Sequence, residues 1–155
     1  MSETSAHEAL AQFLHHIAAP RLPALLLVWH TPNEANAGGA TITTARGRVP
    51  LEAIKNARMG VRPGVWDWLY IGPNLRPIDR AMPGTYQGLA IELKSTRAYC
   101  EKERGLSPEQ IAWGRHYSAN SWYTEVFPEE RWTDAARLLV TWVGGRVQDF
   151  DFGGR

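Results

Sequence analysis

The chain has 155 residues, a formal net charge of +1 and one cysteine, Cys100. This length is typical of one domain with a substantial core. We expect a single domain over residues 1–155, with its core between about residues 5 and 143 and a loose tail at 146–155. One cysteine excludes an internal disulfide and a cysteine-based zinc site, and no apolar run approaches the ~20 residues of a membrane helix. Residues 1–5 lack the basic start of a signal peptide, so a cytoplasmic location is expected.

Periodicity and terminal residues predict eight elements. Helices are predicted from apolar residues at helical spacing and from residues that typically begin or end a helix. The four predicted helices cover residues 5–18, 50–59, 107–120 and 128–143. Four segments rich in apolar, aromatic or β-branched residues predict strands over residues 25–30, 65–71, 86–94 and 123–127. Residues 31–44 and 72–85 are predicted connections. This order predicts an α/β (α+β) fold with a central sheet.

The most informative pattern is Glu92-Leu93-Lys94, together with Asp67 upstream. Side chains alternate along a strand, so Glu92 and Lys94 should share one face, while Leu89, Ile91 and Leu93 face the core. Asp67 lies between two tryptophans in a strand that otherwise looks buried, where a lone carboxylate is costly unless it is paired or binds a metal. These groups could together bind a divalent metal and stabilise an attacked phosphate. Alternatively, Asp67 faces solvent on an edge strand, and the Glu-x-Lys pattern arises by chance.

Two helix residues have both a structural and a functional interpretation. Glu8 fits the third position of a capping box begun by Ser5, but it shares a helix face with Gln12 and could complete a carboxylate set. Gln110 fits a capping box with Ser107, but a helix N-terminus is also an anion site. Gln110 could therefore act near a phosphate or a nucleophilic water. His30 is considered as a supporting residue behind the site, and the other histidines lack metal-ligand spacing.

A basic segment precedes Asp67. Its cations, opposed only by Glu52, are Arg46, Arg48, Lys55, Arg58 and Arg62. Such a segment can contact phosphates on a nearly neutral protein, although a solvated helix face would have the same composition.

These motifs follow the order found in VRR-NUC domains, a branch of the PD-(D/E)xK nucleases, and the chain resembles their stand-alone phage or prophage form. The matching pieces are Glu8 with Gln12, residues 30–34, residues 59–68, residues 88–94 and residues 106–113. Their combination is more specific than any one of them. The chain departs from the pattern at Trp66, where the family usually has proline, and residues 95–105 are longer than usual.

The resemblance implies a restriction-endonuclease-like core, a central mixed sheet flanked by helices, and Mg²⁺- or Mn²⁺-dependent hydrolysis of DNA phosphodiesters. The expected substrate is branched or structured DNA of the Holliday-junction or flap type, and the expected assembly is a homodimer. It implies that Glu8, Asp67 and Glu92 bind the metal and that Lys94 stabilises the developing charge. It also implies that Gln110 supports the site. The residues implied in phosphate contact are Lys55, Arg58 and Arg62.

Two other functions stay open. One is a catalytically inactive nuclease-fold protein that binds nucleic acid or acts in anti-defence, which the large ring of Trp66 beside the metal-binding Asp67 favours. The other is a phage structural or assembly protein, which predicts neither metal nor DNA binding.

Overall fold

The computed structural model describes residues 3–31, 41–44, 47–50 and 64–152. The strands in this part of the chain are β1 (Val28–His30), β2 (Thr41–Thr44), β3 (Gly47–Pro50), β4 (Trp68–Ile71), β5 (Gly88–Lys94) and β6 (Trp122–Pro128). Four of them form a sheet in the order β1-β4-β5-β6. β4 is antiparallel to both β1 and β5, whereas β5 and β6 are parallel. The sheet is therefore mixed, and β2 and β3 form a separate antiparallel pair.

Within the described ranges, the α-helices are α1 (Glu3–Gln12), α2 (Thr96–Tyr99), α3 (Pro108–Ala119) and α4 (Trp132–Trp142). α1 continues without a break into a π-helical segment, Phe13–Ala18. Short 3₁₀ turns cover Pro23–Leu27, Lys102–Gly105, Glu129–Arg131 and Val147–Asp149. Among the described residues, no helix is long and apolar enough to cross a membrane.

Helices cover the sheet on both faces, because its central strand alternates between two apolar clusters. Leu89, Ile91 and Leu93 of β5 face the main core, where α1 and α4 pack. Ala90 faces the opposite way, into a smaller cluster that contains Trp66 and the α3 residue Tyr117. This is the α+β architecture, with a central mixed sheet flanked by helices, that the sequence predicts.

The predicted start of the helix at 107–120 is confirmed, whereas the predicted start of the first helix and the first predicted strand differ from the structure. Ser107 caps α3 and forms a complete capping box with Gln110, and Pro108 occupies the first turn. By contrast, Ser5 does not begin a helix, because α1 already includes Glu3, so the predicted capping box of Ser5 and Glu8 is wrong. The predicted strand at 25–30 is shorter than expected, because Pro23–Leu27 turns as a 3₁₀ helix.

Two predicted irregular segments contain packed structure. The predicted loop at 31–44 ends in β2, which pairs with β3 through Thr44 and Gly47. The tail that was expected to be loose is packed as far as Phe152, whose buried ring stacks on Phe13 at a centroid distance of 4.8 Å. An aromatic pair so distant in sequence leaves no local pattern, which explains the error. Pro50 belongs to β3, and the rest of the predicted helix at 50–59 lies outside the described residues.

Candidate functional site

The antiparallel register of β4 and β5 brings Asp67 and Glu92 together. Trp68 pairs with Ile91 in that register. Continuing the register by one residue therefore places Asp67 opposite Glu92. Asp67 lies just before β4, not within a strand as predicted. Its carbonyl accepts a hydrogen bond from the Thr31 N–H at 2.7 Å, which ties the end of β1 to the site.

Each carboxylate accepts a hydrogen bond from the backbone of the other residue's segment. The Asp67 N–H donates to Glu92 Oε2 at 3.2 Å, and the Leu93 N–H donates to Asp67 Oδ2 at 2.9 Å. Both acids are buried, with 6% of Asp67 and 1% of Glu92 exposed. A buried carboxylate must be hydrogen-bonded or paired with a cation, and these contacts meet part of that requirement. The alternative that Asp67 faces solvent on an edge strand is therefore wrong.

Lys94 and Gln110 converge on the second oxygen of the Glu92 carboxylate. Lys94 Nζ lies 2.8 Å from Glu92 Oε1, and the Gln110 side-chain amide donates to the same oxygen. Glu92 and Lys94 thus share one face of β5, as the two-residue spacing predicts. The Lys94 side chain is 12% exposed, whereas that of Glu92 is 1% exposed, so the lysine is the more accessible member of the pair.

Gln110 forms the predicted capping box and also contacts a buried carboxylate of the cluster. Its Oε1 accepts from the Ser107 N–H at 3.0 Å, and its own N–H donates to Ser107 Oγ at 3.2 Å, which completes the capping box. Its amide nitrogen still donates to Glu92. The same side chain therefore fixes the start of α3 and holds a site carboxylate.

Trp66 and Gly64 attach the segment before Asp67 to α3. The Trp66 indole N–H donates to the Gln110 carbonyl at 2.9 Å. Gly64 has φ of +78°, and a Cβ there would lie 2.7 Å from the Glu109 carbonyl carbon, so only glycine fits. The Trp66 ring packs edge-to-face on Tyr117 in the smaller core cluster. The residue that the family pattern places as proline thus packs beneath α3.

His7, not Glu8, is the α1 side chain directed at the buried acids. His7 Nε2 lies 3.7 Å from Asp67 Oδ2, and its Nδ1 accepts a hydrogen bond from the Trp68 indole at 2.9 Å. Glu8 is exposed, but it borders the same cavity of about 280 Å³ as His7, Trp68 and His30. The rotation of α1 on the sheet decides which side chain faces the acids, and sequence spacing does not specify that rotation.

The two histidines beside the site have lowered pKa values. The pKa of His7 falls to about 4, mainly through burial and further through the charges of His30 and Lys94. Burial also lowers the pKa of His30, whose ring centroid lies 4.9 Å from that of His7 and 4.6 Å from that of Trp68. Both histidines are therefore neutral at neutral pH. His30 thus contacts the rings of His7 and Trp68, and its role as a supporting residue stays a prediction.

The structure does not bring Gln12 into this cluster. The exposed side chain of Gln12 makes no side-chain hydrogen bond or ion pair to Asp67, Glu92 or Lys94 among those found for the described residues. The predicted phosphate contacts, Lys55, Arg58 and Arg62, lie outside the described residues, as do Pro32, Asn33 and Glu34.

The donor set suits a hard divalent cation. Asp67 and Glu92 supply two buried carboxylates, while the nearby Lys94 carries one positive charge. Mg²⁺ often uses only one or two protein carboxylates, since water and substrate phosphate complete its coordination. Within the described residues, no three His, Cys, Asp or Glu side chains are arranged to hold a metal ion by themselves. The residues therefore fit a cation that also takes ligands from water and substrate.

Comparisons with known proteins identify a structural relative. No family profile matches the chain, and no curated protein matches it. A solved structure described as a VRR_NUC domain protein superposes with a TM-score of 0.56 at 16% identity. The match covers 94% of this chain and 92% of that one. The chain therefore has the fold of a VRR_NUC domain protein, as its motifs predict.

Proposed function

We propose that this protein is a metal-dependent endonuclease that hydrolyses DNA phosphodiesters, with Mg²⁺ or Mn²⁺ as its cofactor. The observation that carries the proposal is the hydrogen-bonded cluster of Asp67, Glu92, Lys94 and Gln110. Buried carboxylates next to a partly exposed ammonium are costly as structure alone. They suit a reaction in which negative charge develops on a phosphate. The fold shared with a VRR_NUC domain protein supports a nuclease.

In this proposal the carboxylates bind the cation and Lys94 stabilises the developing negative charge. Asp67 and Glu92 would hold the cation, with Glu8 at the edge of the neighbouring cavity reaching it directly or through water. When bound, the cation polarises the scissile phosphate and lowers the pKa of a bound water. Gln110 and the Asp67 N–H hold the Glu92 carboxylate in place. Lys94 donates from Nζ either to the attacking water or to a phosphate oxygen as its charge grows.

Branched or structured DNA is the proposed substrate, and a homodimer is the proposed assembly. One copy of the site can cut one strand at a time, so a two-fold dimer suits a substrate with two strands to cut. In the same proposal Lys55, Arg58 and Arg62 contact backbone phosphates, which position DNA without reading its sequence.

The direct test compares cleavage of labelled junction, flap and plain duplex DNA with Mn²⁺ and with chelator. Lys94→Ala and Glu92→Gln should each lower the rate by about 100-fold or more, the usual scale for losing a proton-transfer or charge-stabilising group. Lys102→Ala removes an exposed lysine from a 3₁₀ turn and is the matched control. Equal cleavage by the wild type and Lys94→Ala would refute the proposal, as would undiminished cleavage in chelator.

A second candidate function is DNA binding without cleavage. The observation that favours it is that no three candidate metal-binding side chains lie together among the described residues. Trp66, which first suggested this function, gives it less support because its ring packs in the core beneath α3. Calorimetry with Mn²⁺ separates the two. An endonuclease should take up the metal and lose uptake on Asp67→Asn, whereas a binder should take up none.

A further inference from the structure

The hydrogen bond between Trp68 and His7 fixes which nitrogen of the histidine carries a proton. The Trp68 indole N–H can only donate, and it lies 2.9 Å from His7 Nδ1. Nδ1 must therefore hold a lone pair. An imidazole with a lone pair on Nδ1 carries its hydrogen on Nε2. His7 thus directs an N–H, not a lone pair, away from Trp68.

That N–H faces the buried acid of the site. His7 Nε2 lies 3.7 Å from Asp67 Oδ2, the oxygen that also accepts the Leu93 N–H at 2.9 Å. Donors from α1 and from β5 therefore approach the same carboxylate oxygen from two elements. A distance of 3.7 Å exceeds a formed hydrogen bond, but such contacts commonly tighten when substrate binds.

The surroundings restrict the His7 ring to this orientation. Its plane lies within 17° of the Trp68 ring plane, and the His30 ring packs against it at a centroid distance of 4.9 Å. Among the described residues, the titratable groups near the ring are Asp67, which Nε2 faces, Lys94, His30, and Glu8, which borders the same cavity. A donor on Nε2 complements the carboxylate. A metal ligand at this nitrogen would instead need its lone pair.

We propose that His7 is a positioning residue, whose Nε2–H, fixed by Trp68, orients the Asp67 carboxylate. The inference rests on the proposed function only in taking Asp67 as a metal-binding acid. It gives α1 a hydrogen-bond donor to the site, His7, next to Glu8. The sequence pattern had selected Glu8 and not His7. Partners that orient metal-binding side chains typically contribute about 10- to 100-fold to metal affinity or activity.

The tautomer is measurable in the metal-free protein by nitrogen-15 NMR of the histidine side chains. The wild type should show His7 with a protonated Nε2 and an unprotonated Nδ1. Trp68→Phe removes the indole donor and should lessen this preference, whereas Trp113→Phe on α3 should not. Asp67→Asn should move the Nε2 proton resonance upfield. A protonated Nδ1 in the wild type, or an Nε2 proton unmoved by Asp67→Asn, would overturn the proposal.

Variants of His7 test the consequence for the site. His7→Gln places an amide N–H near the position of Nε2 and should keep Mn²⁺ affinity and cleavage within about 3-fold of the wild type. His7→Leu should lower both by about 10-fold or more. His16→Gln, an exposed histidine of the π segment, is the matched control. Equal losses in the Gln and Leu variants, or no loss in either, would contradict a donor role.

The two measurements distinguish failure of this inference from failure of the proposed function. A wild type that neither binds Mn²⁺ nor cleaves DNA contradicts the nuclease proposal. The metal-free tautomer and its response to Asp67→Asn then decide the role of His7 on their own. If the wild type cleaves DNA but His7 is protonated on Nδ1, the nuclease proposal stands and the positioning role is refuted.

Discussion

Removing the Lys94 ammonium should leave Glu92 as a buried carboxylate without its nearest cation. Lys94→Met keeps the length and apolar stem of the side chain and deletes the charge. At the observed 2.8 Å, with an effective dielectric constant of about 20, the Coulomb attraction is about 6 kcal/mol before desolvation is subtracted. Glu92 retains donors from Asp67 and Gln110. We therefore expect the free energy of unfolding to fall by about 3 kcal/mol, at the lower end of the range for breaking a buried pair.

The assay is urea denaturation of metal-free protein, followed by tryptophan fluorescence at neutral pH. Glu92→Gln in the Lys94→Met background should recover most of the loss, because a neutral amide needs no counter-charge. Lys102→Met, an exposed lysine, should change the unfolding free energy by less than about 0.5 kcal/mol. A loss below about 1 kcal/mol for Lys94→Met, or no recovery in the double variant, would refute the reasoning.

Three further predictions concern residues around this pair. Gln110→Ala and Ser107→Ala each remove one half of the capping box, at a cost of about 1 kcal/mol. Only Gln110→Ala also takes a donor from Glu92, so it alone should weaken Mn²⁺ affinity in calorimetry; equal weakening by both would contradict this. His7 has its pKa lowered from 6.5 to about 4, so the unfolded chain binds a proton more readily between these values. The free energy of unfolding should therefore decrease as the pH is lowered across that window. Between neutral pH and pH 4.5, the wild type should lose about 2 kcal/mol more than His7→Gln in urea titrations. An identical slope for both proteins would show that His7 makes no such contribution. Trp66→Phe loses the hydrogen bond to the α3 carbonyl and about 1–2 kcal/mol in thermal or urea unfolding, yet should leave cleavage within about 3-fold. A collapse of activity with intact folding would mean that the Trp66 ring takes part in the site.

The sequence predicts β5 and α3 well because local rules dominate there. β5 has alternating apolar residues that face the main core, and its predicted face for Glu92 and Lys94 follows from that alternation. α3 begins with Ser107, Pro108 and a glutamine at the third position, and these residues satisfy backbone donors whatever the rest of the chain does.

Contacts between distant segments decide the features that the sequence did not predict. Asp67 lies just before β4, and its N–H donates to the Glu92 side chain instead of to a backbone carbonyl. His7 faces the acids because α1 buries Ala6 and Leu10, which sets its rotation on the sheet. Sequence alone favours Glu8, one residue away, because carboxylates are common ligands of divalent cations.

Gln110 shows that a capping-box residue can also hold a buried carboxylate of the candidate site. Its side chain has one acceptor and one amide group that donates, and the capping box uses the acceptor while Glu92 uses the donor. The start of α3 is thereby linked to the position of the Glu92 carboxylate. Trp66 strengthens the same link, since its indole N–H donates to the Gln110 carbonyl and Asp67 follows it directly. A shift of the first turn of α3 would therefore displace both buried acids together, which makes this helix terminus part of the site's rigid support.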